Sequence, residues 1–392
     1  MAGTPKRRSS VRDLSVYLHI PFCAVRCGYC DFNTYTAEDL GGGGSRAEYP
    51  VQAMREMDLT LADDLAAGYE YTQLSTVFFG GGTPTLLPAE DLAAMLRHLT
   101  SLLPLAPGAE VTTEANPDSV TPAGLEILAA AGLTRVSVGM QSAVPHVLRT
   151  LDRTHKPERV GQTVRAAKAL GLQTSVDLIY GTPGESLADW RRSLEEAIAL
   201  EPAHISAYSL IIEGNTAMAR KLRRGEIPQP DVDLMADMYE LANEMLAAAG
   251  YDWYEVSNFA RSEEARCRHN IAYWRGSDWW GIGPGAHGHR DGVRSWNVKH
   301  PRRYAGLIAQ DKLPREGSET LTREDRDLEY IMLGLRMAEG ISAAPLTAQQ
   351  HATARGYVKR GLLRADAYDA GRLIVTDAGR LLADAIVRDL VA

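Results

Sequence analysis

The stretch Tyr17-Leu-His-Ile-Pro-Phe-Cys23-Ala-Val-Arg-Cys27-Gly-Tyr-Cys30 decides how this chain is read. It holds three of the four cysteines in 392 residues, and the fourth, Cys267, lies far downstream. Thiols spaced four and then three residues apart can wrap one short loop around one metal centre. A zinc site commonly takes four ligands in two close pairs, and no second pair exists here. Two disulfide bridges among such near neighbours would be strained. Inert buried thiols, clustered by accident, are the blandest alternative. A [4Fe–4S] cluster is held by thiolates at its iron corners. Three protein ligands would leave one iron open to a small molecule.

Composition sets the frame around that loop. Hydrophobic residues make up 45% and charged residues 23%, as in ordinary soluble globular proteins. The length accommodates a large barrel with a smaller second domain. A formal charge of −8 argues against a nucleic-acid partner, since phosphate binding needs a basic surface. Lys6-Arg7-Arg8 is followed by Ser9-Ser10 and not by an apolar run, so no secretion signal is expected. No stretch approaches the roughly 20 apolar residues of a membrane-spanning helix. The predicted location is cytoplasmic, where a reducing environment keeps an oxygen-sensitive cluster intact. Peripheral membrane contact and a homodimer remain compatible with this composition.

From residue 14 to about 260, β-branched runs alternate with alanine- and leucine-rich helical patterns. Strands are expected at 15–20, 76–79, 110–114, 135–139, 174–179 and 205–210. Helices are expected at 89–103, 121–131, 157–170, 187–200 and 231–249, with Gly132, Gly171 and Gly250 where C-caps belong. Such alternation implies parallel strands joined by right-handed crossovers, and six units make a partial (β/α)6 barrel in the α/β class. Sites in such barrels collect at the C-terminal strand ends. Residues 1–13 are expected to be a disordered N-terminus. Gly41-Gly-Gly-Gly44 is predicted to be a flexible loop. Residues 261–320 are an aromatic and histidine-rich segment without clear periodicity. Residues 321–392 are predicted to be a small α+β domain of winged-helix-like order.

Polar residues punctuate the predicted strand ends. Gly80-Gly-Gly-Thr-Pro-Thr85 follows the second strand, and glycines there let backbone approach a ligand closely. Glu114 ends the third strand in Glu114-Ala-Asn-Pro117. Gln141 ends the fourth, Arg153 follows it, and Asp177 lies in the fifth. Any one of these is as readily a local cap or salt bridge. Left unpaired in a barrel mouth, each polar group costs about 1–3 kcal/mol. A ligand with ribose hydroxyls, a carboxylate and an adenine edge would satisfy the set.

Together the segments HIPFCxxxCxYCDFN, GGGTPT, EANP, SVGMQS and DLIYGTPGES resemble the coproporphyrinogen-oxidase-like branch of the radical S-adenosyl-L-methionine (SAM) superfamily, from about residue 14 to the C-terminus. The resemblance implies that Cys23, Cys27 and Cys30 bind the [4Fe–4S] cluster. Its open iron would chelate the amino and carboxylate groups of SAM, whose reductive cleavage yields a 5′-deoxyadenosyl radical. It implies further that Tyr17, Tyr29, Gly81, Gly82, Thr83, Glu114, Gln141, Arg153 and Asp177 line the SAM site. The oxidases of this branch carry another cysteine two positions past the third, where this chain has Phe32, and a longer N-terminal arm. Both departures argue against coproporphyrinogen III dehydrogenase activity, the first alternative. A radical SAM methyltransferase is the further alternative.

The heme-chaperone group of the same branch is the better match. It is similar to this chain in Asp31-Phe-Asn33, in Tyr254-Glu-Val-Ser-Asn-Phe-Ala260, in Gly281-Ile-Gly-Pro-Gly-Ala-His287 and in Leu333-Gly-Leu-Arg-Met-Ala-Glu-Gly340. His269-Asn-Ile-Ala-Tyr-Trp274 matches that group's HNxxYW motif, which is associated with heme. The resemblance implies a chaperone that stores heme or delivers it to apo-hemoproteins, respiratory enzymes among them. Physically, an imidazole can ligate heme iron and aromatic faces suit a porphyrin. His269, Tyr273 and Trp274 are therefore the expected heme residues, with Cys267 a second candidate ligand. A structural histidine in an aromatic core patch is the competing account. His19 and Asp31 beside the cysteines could tune the cluster or simply pack.

Overall fold

The computed structural model describes residues 12–392. Six parallel strands form its centre: β1 (Arg12–Ile20), β2 (Tyr71–Gly81), β3 (Leu105–Ala115), β4 (Arg135–Gln141), β5 (Gln173–Tyr180) and β6 (His204–Ser209). Each predicted strand is present, with ends shifted by the real extent of pairing. Arg12 and Asp13, assigned to a disordered tail from sequence, belong to β1 because their backbones pair with β2. The rest of that predicted tail lies outside the described residues.

Alternation along the strands divides inside from outside. In β1, Leu14, Val16, Leu18 and Ile20 are fully buried against the crossover helices. Ser15, Tyr17 and His19 point the other way, into the barrel, as period-two geometry requires. Register carries this through the sheet: Tyr17 pairs with Phe78, Phe78 with Thr112, Glu114 with Ser137, and Asp177 with Ser206. The barrel's lining is thus largely polar while its outer face is aliphatic, so the interior must satisfy hydrogen bonds.

The crossover helices Ala89–Leu102, Pro122–Ala131, Pro157–Ala169, Leu187–Ala199 and Val232–Ala248 follow the predicted pattern. Gly132, Gly171 and Gly250 all take positive φ at their ends. The helix Tyr49–Ala66 between β1 and β2 has no counterpart among the predicted helices. Its amphipathic stripe is broken by polar residues that are themselves buried, Glu56, Thr60 and Asp64.

Residues beyond 250 do not stand apart from the barrel. The strand β8 (Asn258–Ala260) adds antiparallel to β6 and β7 (Asp252–Glu255) antiparallel to β8, while β9 (Trp279–Ile282) adds parallel to β1. Beyond β9 run β10 (His287–Arg290), β11 (Val293–Asn297) and β12 (Arg315–Thr320). Among the described residues, twelve strands therefore make one sheet. The segment set aside as 261–320 is most of one wing of it. These strands are only four to six residues long, too short for periodicity to register in sequence.

The four-glycine run is not a free linker. The Gly44 amide donates to the Gly41 carbonyl, and a Cβ on Gly44 would stand 2.6 Å from the Arg302 nitrogen. Only glycine lets this turn lie on the helix Pro301–Ile308.

The last 70 residues carry their own apolar cluster, including Ile331, Leu335, Ile341, Tyr357, Leu373 and Ile386. Helices Arg323–Gly334, Ala348–Lys359 and Ala383–Val391 surround the small ladder of β13 (Ile341–Ser342) and β14 (Arg372–Leu373). The chain ends in two helices, Asp377–Arg380 and Ala383–Val391. Among the described residues no helix is long and apolar enough to cross a membrane.

Candidate cofactor site and barrel floor

The loop after β1 is pinned on several sides before any cofactor is considered. Cys23 N–H donates to the Tyr35 carbonyl, and Tyr35 N–H returns a bond to Pro21. Gly28 N–H reaches Leu151, and its carbonyl accepts from Met218. At the end of β2, Gly82 N–H donates to Ile20 and Thr83 N–H to Phe22. A Cβ on Gly82 would lie 2.5 Å from the Phe22 carbonyl oxygen and 3.0 Å from Cys23 Sγ. Glycine here serves the approach of β2 to the cysteine loop. The neighbour that Gly82 approaches most closely is this chain's own backbone, not the open cavity.

Cys23, Cys27 and Cys30 face one cavity of about 410 Å³ at the C-terminal strand ends. All three are free thiols. The Thr83 hydroxyl donates to Cys23 Sγ and the Arg153 guanidinium to Cys27 Sγ, each at 3.7 Å. Burial pushes the Cys23 thiol up to about 11, against the Thr83 hydrogen bond, and raises Cys30 as well. Thiols held protonated in this way are stabilised as thiolates only by a cation or a cationic cluster. Among the described residues, no three His, Cys, Asp or Glu side chains gather around a single-ion point. The donor set is thus three sulfurs spread along one loop, which fits a cluster with several iron corners better than zinc.

The same cavity is lined by Tyr29, Gly81, Gly82, Thr83 and Glu114, and across from them by Gln141, Arg153 and Asp177. Eight of the nine residues expected around SAM are therefore gathered in one place. Tyr17 is the exception. It lies beneath the cavity, with its hydroxyl 3.1 Å from His19 Nδ1 and its ring stacked on Phe78. A β1 residue three positions before the strand end sits one layer too deep to line the mouth.

Electrostatics mark Glu114. Its carboxylate accepts the Gly81 N–H at 3.1 Å, yet burial, then the nearby Asp177 carboxylate, raise it to about 8. Asp177 accepts from Ser137 and Ser206 at 2.7 and 2.8 Å, and burial raises it too. Two buried acids beside each other favour a cationic ligand, which lets both ionise. Arg153 binds the Gly139 carbonyl at 2.9 Å while its buried Nε has no partner. An uncommitted guanidinium donor fits a carboxylate group. Ser137, Asn116, Ser119 and Thr154 also line the cavity. Asn116 and Ser137 stand inside the EANP and SVGMQS motifs, and Ser119 and Thr154 close to EANP and Arg153, so motif position was the signal for all four.

Asn33 was also missed as a structural pin. Its side-chain amide donates to the Pro284 and Lys299 carbonyls, tying the cysteine loop to the β9–β10 turn and to the segment after β11. His19 is packed, not free: Nε2 bonds the Asn33 carbonyl and Nδ1 the Tyr17 hydroxyl. Asp31 is exposed and does not line the cavity.

The HNxxYW segment lies elsewhere, in the barrel floor. It forms the short helix Arg268–Trp274, whose first amides, from Arg268 and His269, donate to the Glu110 carboxylate. A carboxylate at a helix N-terminus meets both the free N–H groups and the helix dipole. Glu110 also lies 3.8 Å from Arg135, which binds the Ala265 carbonyl. Cys267 is buried, its thiol pointing to Glu110 at 3.6 Å, with burial pushing its pKa far up. Neither a thiolate nor open space is available there for iron.

His269 is not an exposed ligand in this fold. Its imidazole is 1% exposed, with Nδ1 at 2.7 Å from Thr76 and Nε2 at 2.9 Å from Tyr273. It stacks on Phe78, and burial drops its pKa to about 3. In this geometry both nitrogens are engaged and the ring is core, so an axial role would need both bonds to be given up. Tyr273 and Trp274 are half-buried and face a different, outward cavity.

A strand-end cavity with three thiols from one loop, two buried acids and an unpaired guanidinium defines the class: a protein built to hold a cluster-bound cationic cofactor. The radical SAM superfamily profile matches residues 17–197. A Mycobacterium tuberculosis protein named heme chaperone HemW is 47% identical over 96% of this chain and 94% of its own length. The Escherichia coli protein of that name is 37% identical over 85% and 84%. Among solved structures, E. coli coproporphyrinogen III oxidase, HemN, has a TM-score of 0.82, covering 98% of this chain and 91% of its own. At 24% identity that likeness shows the shared fold. The chain belongs to the HemW family of the radical SAM superfamily. Membership brings a [4Fe–4S] cluster and SAM as its cofactors.

Proposed function

We propose that this chain is a heme chaperone of the cytoplasm: it binds heme and hands it to apo-hemoproteins, respiratory enzymes among them. The observation that carries this is the near full-length identity to proteins named heme chaperone HemW, spanning the cysteine loop and the HNxxYW helix alike. Phe32 stands where the oxidase-like relatives have another cysteine, which supports a chaperone over a coproporphyrinogen dehydrogenase.

Cys23, Cys27 and Cys30 hold the cluster in this reading, and a cluster with SAM supplies one-electron cleavage of a sulfonium. The chain's own residues do the positioning. Arg153 takes the amino-acid carboxylate through its free Nε and screens Cys27 through Nη1. Glu114 gives up its proton when a cation arrives, and Asp177 is oriented by the Ser137 and Ser206 hydroxyls. Gly81, Gly82 and Thr83 present backbone at the rim, while Tyr29 and Gln141 close the sides. Gln141 holds this place at φ 61°, a strained setting for a non-glycine residue that is typical of sites.

The test is anaerobic reconstitution of the full chain, followed by two incubations. Hemin loaded on the protein should pass to an apo-cytochrome and restore its spectrum. With SAM and coproporphyrinogen III, no protoporphyrinogen IX should form; its appearance would replace the chaperone reading with the oxidase.

A further inference from the structure

A second cavity, about 560 Å³, opens between the β9–β12 wing and the C-terminal unit. That size suits an organic ligand of cofactor dimensions. Its walls are flat and soft: Tyr273 and Trp274 from the HNxxYW helix, Trp279 from β9, and Leu333 and Met337 from the C-terminal unit. Tyr273 and Trp279 meet edge to face at 4.7 Å, and the Trp279 indole N–H is held by the His287 carbonyl. The aromatic walls are thus fixed before any ligand arrives. They are also only half-buried, so apolar surface faces open space.

The charges around the cavity are unequal in commitment. Its carboxylates are engaged: Glu329 by Arg294 at 2.7 Å, Glu339 by Arg275 at 2.9 Å, and Asp278 by the Tyr71 hydroxyl and the Asp291 amide. Asp291 has a partner as well. Two lining guanidinium groups are not so paired. Arg326 donates to the Leu321 carbonyl, and Arg372 to the Glu339 and Gly340 carbonyls, with no carboxylate on either among the described residues. Neutral carbonyls leave such cations free to take bidentate carboxylates.

From this we infer that the cavity is the binding site for a planar, amphipathic tetrapyrrole dicarboxylate, its ring against Tyr273, Trp274 and Trp279 and its two acid chains toward Arg326 and Arg372. The inference rests on the heme-chaperone reading and locates its cargo. It gives the HNxxYW motif two faces: the histidine anchors the helix inside the barrel, and the aromatic end faces the ligand. It also keeps the cargo apart from the thiol-lined cavity, so cluster and heme can be held at once.

The experiment is hemin titration of the full-length chain, followed by absorbance and tryptophan quenching. Arg326 and Arg372 are exposed, so Arg326→Ala with Arg372→Ala should fold normally. The expected result is about tenfold weaker hemin binding per arginine, with SAM binding unchanged. Hemin dimethyl ester, lacking both carboxylates, should bind the wild type as weakly as hemin binds the double variant. Leu333→Glu, which puts charge in the apolar wall, should weaken hemin as much. Wild-type hemin affinity in the arginine and Leu333 variants would overturn the assignment of this cavity alone. A wild-type chain that takes up no hemin would overturn it together with the chaperone reading.

Discussion

The imidazole Nδ1 of His269 lies 2.7 Å from the hydroxyl of Thr76, in the floor of the barrel. This one contact joins a helix late in the chain to the middle of β2. With the Tyr273 hydroxyl on Nε2 and Phe78 stacked on the ring, His269 is a strut between the HNxxYW helix and the barrel. Iron ligation would require giving up a buried hydrogen bond and the packing around it.

His269→Ala is therefore expected to act on the fold. It strands the Thr76 hydroxyl in a buried site, at a cost of about 1–3 kcal/mol. Urea unfolding should show that loss, while the Soret position of bound hemin stays as in the wild type. A shifted Soret band with unchanged stability would restore His269 as an iron ligand.

Acid should unfold the protein partly through the same residue. Its folded pKa, about 3, lies below the usual histidine value, so its contribution is complete above about 6.5 and is lost as pH falls toward 3. His204, buried between Ser175 and Tyr254, acts in the same direction. Melting temperature should drop between pH 6.5 and 4, and less steeply in His269→Gln. Equal slopes would show that the imidazole is not the group being protonated.

Iron content separates the cysteines. Cys23→Ala, Cys27→Ala and Cys30→Ala should each abolish the cluster absorbance after anaerobic reconstitution, and Cys267→Ala should retain about four irons per chain. Cys267 points at Glu110 in the floor, away from the thiol-lined cavity. Loss of iron in the Cys267 variant alone would reverse the ligand assignment.

SAM affinity should depend on pH through Glu114. Burial, and then Asp177, hold this acid at about 8, so it is largely protonated at neutral pH. A cationic ligand draws the proton off, and affinity should rise as pH climbs toward 8 and level beyond it. Without ligand the sign is opposite: the raised pKa stabilises the fold below about 4.5, and that contribution fades as pH rises through 8. Calorimetry on Glu114→Gln should give weaker binding, by about tenfold or more, with a flatter pH profile. A profile identical to the wild type would remove Glu114 from the site.

Glu110 should matter for stability without touching either cavity. Glu110→Ala leaves the amides of Arg268 and His269 uncapped and Arg135 without its buried counter-charge. Breaking a buried pair by deleting one partner costs about 3–5 kcal/mol. Thermal unfolding monitored by tryptophan fluorescence reads this directly, and a loss under 1 kcal/mol would show that the cap carries little.

Spacing in the chain determined the cysteine loop and the six central strands, because each signal is local; the family resemblance named nine residues for a SAM site, and the fold gathers eight of them at one cavity. Three thiols within eight residues and a polar residue at a strand's end are set by neighbours along the chain and by the two-residue period of a strand. Tertiary structure alone decided what lies beyond that reach. Tyr17 sits a layer below the cavity because register, not residue type, sets depth. Residues 261–320 became a wing of the sheet because β9 found the open edge of β1. His269 has the same chemistry as an iron ligand and as a core strut, and the partner that packs it as a strut is Thr76, 193 residues earlier. Burial is a sum over such distant contacts, and a linear sequence does not contain it until the chain has closed.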